Sequence, residues 1–253
     1  MTWDPQKYLM FGAERTRPAI DLLARVPHDR PRRVVDLGCG PGNSTLLLRE
    51  RWPEADVTGI DSSEEMLAEA RTQTGIRWER ADIAHWQPRE RYDLIFSNAT
   101  LQWLDDHAGL FPSLLAALAP GGVLAVQMPR NFASASHRAV RDVLADGPWD
   151  EKLRLLLRAD PVHDASTYYR MLAPHARALD IWETEYLHVL AGENPVGDWT
   201  RGTYVVPLFA ALGTAEGGVF EAEYRSRITA AYSREADGKT LFPFRRLFIV
   251  ARV

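Results

Sequence analysis

The fold is decided by Val34-Val35-Asp36-Leu37-Gly38-Cys39-Gly40-Pro41-Gly42-Asn43-Ser44-Thr45. This stretch begins as a short apolar run typical of a buried strand, breaks into three glycines within five positions, and resumes as the start of a helix. Glycines let a ligand approach the backbone closely, and the free N–H groups of a helix N-terminus point towards it. We therefore expect a strand, a turn and a helix that bind something polar or negatively charged, with Asn43, Ser44 or Thr45 capping the helix.

Length and composition are those of a globular protein. The chain has 253 residues, of which 46% are hydrophobic and 25% are charged, as in a domain with a sizeable core. A net charge of −4 gives no support for a nucleic acid or an anionic membrane as partner. The single cysteine, Cys39, excludes an intramolecular disulfide and is typical of a reducing compartment. With no apolar run near the roughly 20 residues that span a bilayer, and no signal-peptide pattern, we expect a cytoplasmic protein.

Strand-like and helix-like segments alternate around the glycine turn. After a helix over about 13–26, the predicted strands are 33–37, 56–61, 76–81, 92–97 and 123–128. Helices are predicted to follow the first, second and fourth of these strands, and Pro120-Gly121-Gly122 is predicted as the turn before the fifth. This alternation predicts an α/β fold with a doubly wound, mostly parallel sheet.

Beyond residue 128 the alternation stops. The pattern there predicts helices at 136–144, 150–158, 165–172, 203–212 and 216–232, and strands at 180–190 and 246–253. We expect an N-terminal helical lid segment (1–30), a cofactor-binding sheet domain (31–130 with 180–190 and 244–253) and a helical cap that contains the substrate region (131–179 and 191–243).

Four consecutive predicted strands end in residues that suit a ligand. The first ends in the glycine turn, and the others end in Asp61, in Asp82-Ile83 and in Ser97-Asn98. Ligands of open α/β sheets bind beyond the carboxyl ends of the strands, and an acid about 20 residues after the turn can accept both hydroxyls of a ribose. The order and spacing of these residues therefore predict a cofactor site.

The glycine spacing separates two classes of cofactor. A dinucleotide fold favours G-x-G-x-x-G with a pyrophosphate at the helix N-terminus, whereas this chain has Gly38-x-Gly40-x-Gly42 preceded by Asp36. An acid in front of the turn is badly placed for a pyrophosphate and well placed for an ammonium group. A nicotinamide-dependent oxidoreductase is therefore the disfavoured alternative.

Asp36-Leu37-Gly38-Cys39-Gly40-Pro41-Gly42 resembles the first motif of class I S-adenosylmethionine-dependent methyltransferases. The resemblance continues through Gly59–Leu67, Ala81-Asp82-Ile83, Asp93–Ala99 and Leu118–Gly122. It implies a Rossmann-like fold, S-adenosyl-L-methionine as cofactor and S-adenosyl-L-homocysteine as product. The cofactor-binding residues implied are Asp36 for the amino group, Gly38, Gly40 and Gly42 for the methionine portion, Asp61 for the ribose, Asp82 and Ile83 for the adenine, and Ser97 and Asn98 beside the methionine end. Ser62 is a further cofactor-binding candidate.

No catalytic acid or base and no metal ligand is assigned from the sequence. The histidines His137, His163, His175 and His188 form no recognisable dyad, and no cluster has metal-ligand spacing. Cys39 is expected to pack within the turn. The absence of a base favours an acceptor that is already nucleophilic at neutral pH, such as a carboxylate.

The segments that flank the cofactor motifs indicate which acceptor molecule is methylated. Five segments of the chain closely resemble those of methyltransferases in this family that act on trans-aconitate. They are Trp3-x-Pro5-x-x-Tyr8-x-x-Phe11-x-x-x-Arg15-x-Arg17-Pro18, Asn98-Ala99-x-Leu101-Gln102-Trp103, Gln127-Met128-Pro129-x-Asn131, Asp198-Trp199-x-x-Gly202-Thr203 and Phe242–Ala251. The resemblance implies a monomethyl ester of trans-aconitate, or of a close di- or tricarboxylate, as product. The candidate substrate-binding residues are Tyr8, Gln102, Trp103, Arg130, Arg170, Arg201 and Arg246. Another small-molecule methyltransferase and a silent cofactor-binding scaffold remain as alternatives.

Overall fold

The computed structural model describes residues 12–157, 160–201 and 204–253. Its helices are α1 Gly12–Ala24, α2 Asn43–Arg51, α3 Glu64–Ala70, α4 His107–Ala116, α5 Ala135–Asp146, α6 Asp150–Leu153, α7 Ala165–Leu172, α8 Pro195–Arg201 and α9 Val206–Ala231. Short 3-10 turns cover Ile83–His85, Leu101–Trp103 and Arg154–Leu156.

Within the described residues, seven strands form one sheet. They are β1 Arg33–Leu37, β2 Asp56–Asp61, β3 Arg77–Arg80, β4 Tyr92–Asn98, β5 Leu118–Pro129, β6 Ala178–Leu190 and β7 Thr240–Arg252. The strand order is β3-β2-β1-β4-β5-β7-β6, with parallel pairing from β3 to β5 and antiparallel pairing of β5 with β7. The order reverses between β1 and β4, which is the switch point where such sheets bind ligands. The predicted doubly wound, mostly parallel α/β fold is confirmed.

The chain divides into two compact units. The sheet unit comprises residues 12–129, 161–184 and 246–253. Its core is made by fully buried apolar residues of the central strands, among them Val35, Ile95 and Leu124. The helical unit comprises residues 130–160 and 185–245 and has its own core, in which Trp149 packs edge-on against Phe220. The assignment of cofactor and substrate roles to such parts remains a proposal.

Most of the predicted elements are present, and the differences are as follows. The Pro120-Gly121-Gly122 segment lies inside β5, which begins at Leu118, and β7 begins at Thr240, six residues before the predicted start. The helix predicted over 150–158 is a four-residue helix followed by a 3-10 turn. Helix α8 was not predicted, since its Pro and Gly residues weaken the helical pattern. The predicted break near 212–216 is a kink at Gly213, with φ of 70°.

Some predicted features lie outside the described residues: the segment 1–11 with Tyr8, and Arg158, Gly202 and Thr203. In the part of the chain that is described, no single helix is long and apolar enough to cross a membrane. The consecutive pair α8 and α9 meets that test only jointly, by length and composition.

Candidate active site

The three glycines after β1 serve different purposes. All have positive φ: 73° at Gly38, 54° at Gly40 and 97° at Gly42. A Cβ atom on Gly38 would lie 2.0 Å from Thr100 Cγ2, and one on Gly42 would lie 2.8 Å from Trp78 Cη2. A Cβ atom on Gly40 would meet no atom of the described residues within 4 Å. Gly38 and Gly42 are therefore required by packing as well as by conformation, and Gly40 lies beside open space that a ligand can enter.

Asp36 is fully buried at the end of β1. Its Oδ2 atom accepts hydrogen bonds from Ser44 Oγ at 2.6 Å and from Thr45 Oγ1 at 2.7 Å. Its Oδ1 atom has no hydrogen-bond partner among the described residues. Burial raises the pKa of Asp36 to about 6. A buried carboxylate with one unsatisfied oxygen suits a cationic donor such as an ammonium group.

The same hydroxyls explain why the predicted helix cap is wrong. The N-cap of α2 is Gly42, and no side chain caps the helix. Ser44 and Thr45 donate to Asp36 instead, so no side chain occupies the N–H groups at this helix start.

Asp61, at the end of β2, fixes the glycine turn. Its Oδ2 atom accepts from the Gly40 N–H at 2.8 Å, and its Oδ1 atom accepts from the Ser63 N–H at 2.9 Å. Each carboxylate oxygen can accept a second hydrogen bond, so ribose hydroxyls can still bind here. Ser62 is exposed, and its carbonyl oxygen accepts from Arg80 Nε at 3.2 Å.

The end of β3 combines an exposed acid with a buried apolar side chain. Asp82 accepts from the Ala84 N–H at 3.0 Å and contacts His85 Nδ1 at 3.0 Å. The hydrogen bond with His85 is the largest cause of the lowered pKa of Asp82. Ile83 is buried and lines a cavity of about 380 Å³ together with Leu104. The apolar side chain of Ile83 and the carboxylate acceptor of the preceding residue, Asp82, are the two kinds of group that a purine requires.

A conformationally strained loop follows β4. Ala99 has φ of 55°, the one positive value at a non-glycine residue in the described ranges. Its N–H donates to the Gln127 carbonyl at 2.9 Å, and its own carbonyl accepts from Gln102 Nε2 at 2.6 Å. Such strain persists only where surrounding contacts enforce it, and it is concentrated at functional sites.

The residues that begin this loop join it to the glycine turn. Ser97 Oγ donates to the Leu37 carbonyl at 2.8 Å, and Thr100 Oγ1 donates to the Gly38 carbonyl at 3.0 Å. The buried Oδ1 atom of Asn98 has no partner among the described residues. The predicted cofactor residues of β1 and β4 are thus directly connected, with an unsatisfied acceptor at the end of each strand.

His107 supports the loop from the first residue of α4. It is buried, its Nε2 atom contacts the Leu101 carbonyl at 2.8 Å, and its Nδ1 atom contacts the Tyr168 hydroxyl at 2.6 Å. Because a carbonyl can only accept, Nε2 carries a proton. Sequence reasoning missed both side chains, since their partnership joins residues 61 positions apart.

The four candidate arginines have different surroundings. Arg246, in the sheet unit, is 3% exposed and donates from Nη1 to Gln127 Oε1 at 3.3 Å. Arg170 is exposed and donates to the Thr167 hydroxyl at 3.1 Å. Arg201, in the helical unit, forms an ion pair with Glu221 at 3.3 Å. Arg130, also in the helical unit, is half-buried. Among these, Arg246 is the buried cation of the sheet unit.

Burial keeps two other titratable side chains, Cys39 and His137, in their uncharged forms. Burial raises the pKa of the Cys39 thiol, which therefore stays protonated and packs in the turn. Burial lowers the pKa of His137 to about 4, so this imidazole stays neutral. Within the described ranges no group of three His, Cys, Asp or Glu side chains could hold a metal ion.

Comparisons with known proteins agree with this geometry. A family model described as a methyltransferase domain matches residues 11–188. Two solved structures share the fold: the YcgJ protein of Bacillus subtilis (TM-score 0.60, 12% identity, 93% of this chain and 98% of that one) and Haemonchus contortus phosphoethanolamine N-methyltransferase 2 in complex with S-adenosylhomocysteine (TM-score 0.56, 16% identity, 93% and 52%).

Similarity to relatives of known name extends over the whole chain. The trans-aconitate 2-methyltransferase of Azoarcus sp. (strain BH72) is 52% identical over 251 residues, covering 99% of this chain and 98% of that protein. That of Streptomyces avermitilis is 47% identical over 260 residues, covering 99% and 96%. The chain therefore belongs to the methyltransferase family, and its sequence groups it with the trans-aconitate 2-methyltransferases.

Proposed function

We propose that this protein is an S-adenosylmethionine-dependent carboxyl O-methyltransferase that forms a monomethyl ester of trans-aconitate. The observation that carries the proposal is the full-length similarity to relatives of that name, at 47–52% identity. The substrate class is a small polycarboxylate, and S-adenosylhomocysteine is the second product.

The residues at the strand ends fit the cofactor. The unsatisfied Oδ1 atom of Asp36 is buried where an ammonium group would satisfy it. Asp61 keeps acceptor capacity for the ribose hydroxyls, and Ile83 offers an apolar wall for the adenine beside Asp82. The side of the turn at Gly40, where an added Cβ atom would meet no described atom within 4 Å, supports the placement of the methionine portion there. We assign the backbone of Ser97 and Asn98 to the border of that portion.

The chemistry requires positioning more than proton transfer. When bound, S-adenosylmethionine supplies a sulfonium methyl carbon that a carboxylate oxygen attacks, with the C–S electron pair remaining on sulfur and no proton moved. The protein has to hold the acceptor in line, neutralise part of its charge and exclude water.

A panel of acceptors tests the proposal. The protein is incubated with S-adenosylmethionine and each of a set of tricarboxylates, dicarboxylates, monocarboxylates, phenols and amines, and release of S-adenosylhomocysteine is measured. We expect release with trans-aconitate and little with phenols or amines. Release with a phenol or an amine, and with no polycarboxylate, would overturn the proposed acceptor.

A cytoplasmic location is part of the proposal. It is supported by the single cysteine, which is buried and has no possible intramolecular disulfide partner. Fractionation of cells that produce the protein tests it, and recovery in a membrane or secreted fraction would contradict it.

A further inference from the structure

The polar side chains at the carboxyl edge of the sheet share one face. Asp36 in β1 is paired with Phe96 in β4, so Asn98, two residues further on, lies on the same face as Asp36. Asn98 is paired with Gln127 in β5. Side chains of paired residues project to the same side of a sheet, so Asp36, Asn98 and Gln127 form a row across three adjacent strands.

The row continues on the antiparallel strand β7. Gln127 is paired there with Phe248, and Arg246 lies two residues before Phe248, on the same face. The hydrogen bond from Arg246 Nη1 to Gln127 Oε1 agrees with this placement. The polar row, Asp36–Asn98–Gln127–Arg246, thus begins with an acid on β1 and ends with a base on β7.

The basic end of the row is built to receive an anion. Gln127 is fully buried and Arg246 is 3% exposed. Because a guanidinium group can only donate, it fixes the orientation of the Gln127 amide, with Oε1 towards Arg246 and the Nε2 donor turned away. That buried Nε2 has no acceptor among the described residues. A buried amide donor without an acceptor is costly, and an oxyanion beside the guanidinium would satisfy it.

We propose that Gln127 and Arg246 form the receptor for a carboxylate of the acceptor other than the one that is methylated. This inference rests on the proposed function and names the feature of the acceptor that the site selects. Adjacent strands lie about 4.8 Å apart, so the end of β4 and the receptor on β5 and β7 are separated by a span that a short di- or tricarboxylate can bridge. The methylated carboxylate is then held near Asn98, between receptor and cofactor.

Graded substitutions at Gln127 test the receptor. Gln127→Glu keeps an oxygen towards Arg246 and replaces the amide donor with a negatively charged oxygen that repels a carboxylate. Gln127→Met removes the donor without adding charge. We expect the Kd of trans-aconitate, titrated calorimetrically into protein saturated with S-adenosylhomocysteine, to rise about 10- to 100-fold for Gln127→Glu and about 3- to 10-fold for Gln127→Met.

The matched control is Arg245→Gln, on the neighbouring position of β7. Arg245 projects to the other face, where it lies 3.7 Å from Glu185, and its substitution should leave the Kd unchanged. S-adenosylhomocysteine affinity reports whether each variant is folded. A dicarboxylate in which one carboxylate is replaced by a carboxamide should bind weakly to the unsubstituted protein and lose little further affinity in Gln127→Glu.

The possible outcomes distinguish a failure of the receptor assignment from a failure of the proposed function. If the unsubstituted protein methylates trans-aconitate while Gln127→Glu binds it as tightly as the control does, the receptor assignment is wrong and the function stands. If the unsubstituted protein binds and methylates no polycarboxylate, the function fails and the receptor with it. The receptor assignment is supported if the loss of affinity for trans-aconitate is largest in Gln127→Glu, smaller in Gln127→Met and absent in Arg245→Gln.

Discussion

Asp61 Oδ2 accepts a hydrogen bond from the backbone N–H of Gly40 at 2.8 Å, which joins the end of β2 to the middle of the glycine turn. One carboxylate therefore shapes the turn and remains able to bind a ligand on its other lone pairs. Cofactor affinity should depend on this contact, because the turn and the ribose acceptor are set by the same side chain.

Asp61→Asn should weaken S-adenosylhomocysteine binding by about tenfold or more, because one acceptor oxygen becomes a donor and the charge is lost. Isothermal calorimetry measures the affinity. Asp56→Asn is the matched control, since Asp56 begins the same strand and forms an exposed ion pair with Arg77. Equal affinity in the two variants would refute the role of Asp61.

Cofactor affinity should depend on pH through Asp36. The ammonium group requires the ionised carboxylate, whose pKa in the free protein is about 6. Affinity should therefore be highest near pH 7 and fall by up to about tenfold per pH unit below pH 6. Asp36→Asn should bind weakly at every pH tested, and a parallel decline in both proteins would contradict the assignment.

The same carboxylate should affect the free energy of unfolding in the opposite direction. The folded-state pKa of Asp36 is raised from 3.8 to about 6, so the folded protein binds the proton more tightly than the unfolded chain. Its contribution is most favourable below about pH 4 and is lost as pH rises to 6. In denaturant titrations Asp36→Asn should lack this component and be at least as stable as the unsubstituted protein at pH 7.

Gly38→Ala and Gly40→Ala should have different effects. At Gly38 a Cβ atom would lie 2.0 Å from Thr100 Cγ2 at a φ of 73°, so we expect a loss of roughly 2–4 kcal/mol in the free energy of unfolding. At Gly40 the Cβ atom would meet no atom of the described residues within 4 Å, so strain alone costs about 1–2 kcal/mol while cofactor affinity falls. Equal affinity losses in the two folded variants would contradict this distinction.

Tyr168→Phe should lower the free energy of unfolding by about 1–2 kcal/mol, because it removes the hydroxyl that contacts His107 in a buried position. Tyr169→Phe, at the neighbouring residue that is 58% exposed, is the control and should change it by far less. Chemical denaturation measures both. A loss of acceptor affinity in folded Tyr168→Phe would further show that His107 positions the loop after β4.

The sheet was predictable from the sequence because its signals are local. Each apolar run and each glycine turn is set by residues within a few positions of each other in the chain. Strand ends of β1 to β4 were predicted to within about one residue for the same reason. Helix α8 and the extension of β7 back to Thr240 were missed, since contacts within the helical unit stabilise them more than local pattern does.

The site residues that belong to sequence motifs were predictable, whereas those that meet only through strand register were not. Asp36, Asp61 and the glycines stand in a recognisable order, whereas Gln127 becomes informative only when strand register places it beside Arg246, 119 residues away. The helix cap was assigned to the wrong side chains because Ser44 and Thr45 serve Asp36, a contact that no local rule predicts. Charge alone could not rank the arginines, since burial separates Arg246 from the exposed Arg170.

The central claim is methyl transfer to a carboxylate of trans-aconitate, and it can be observed directly at the transferred carbon. S-adenosylmethionine labelled with carbon-13 in the methyl group is incubated with the protein and trans-aconitate, and the carbon spectrum is recorded. We predict one new methyl ester resonance that grows in step with S-adenosylhomocysteine. Absence of the ester resonance from a protein that binds S-adenosylhomocysteine would contradict the claim.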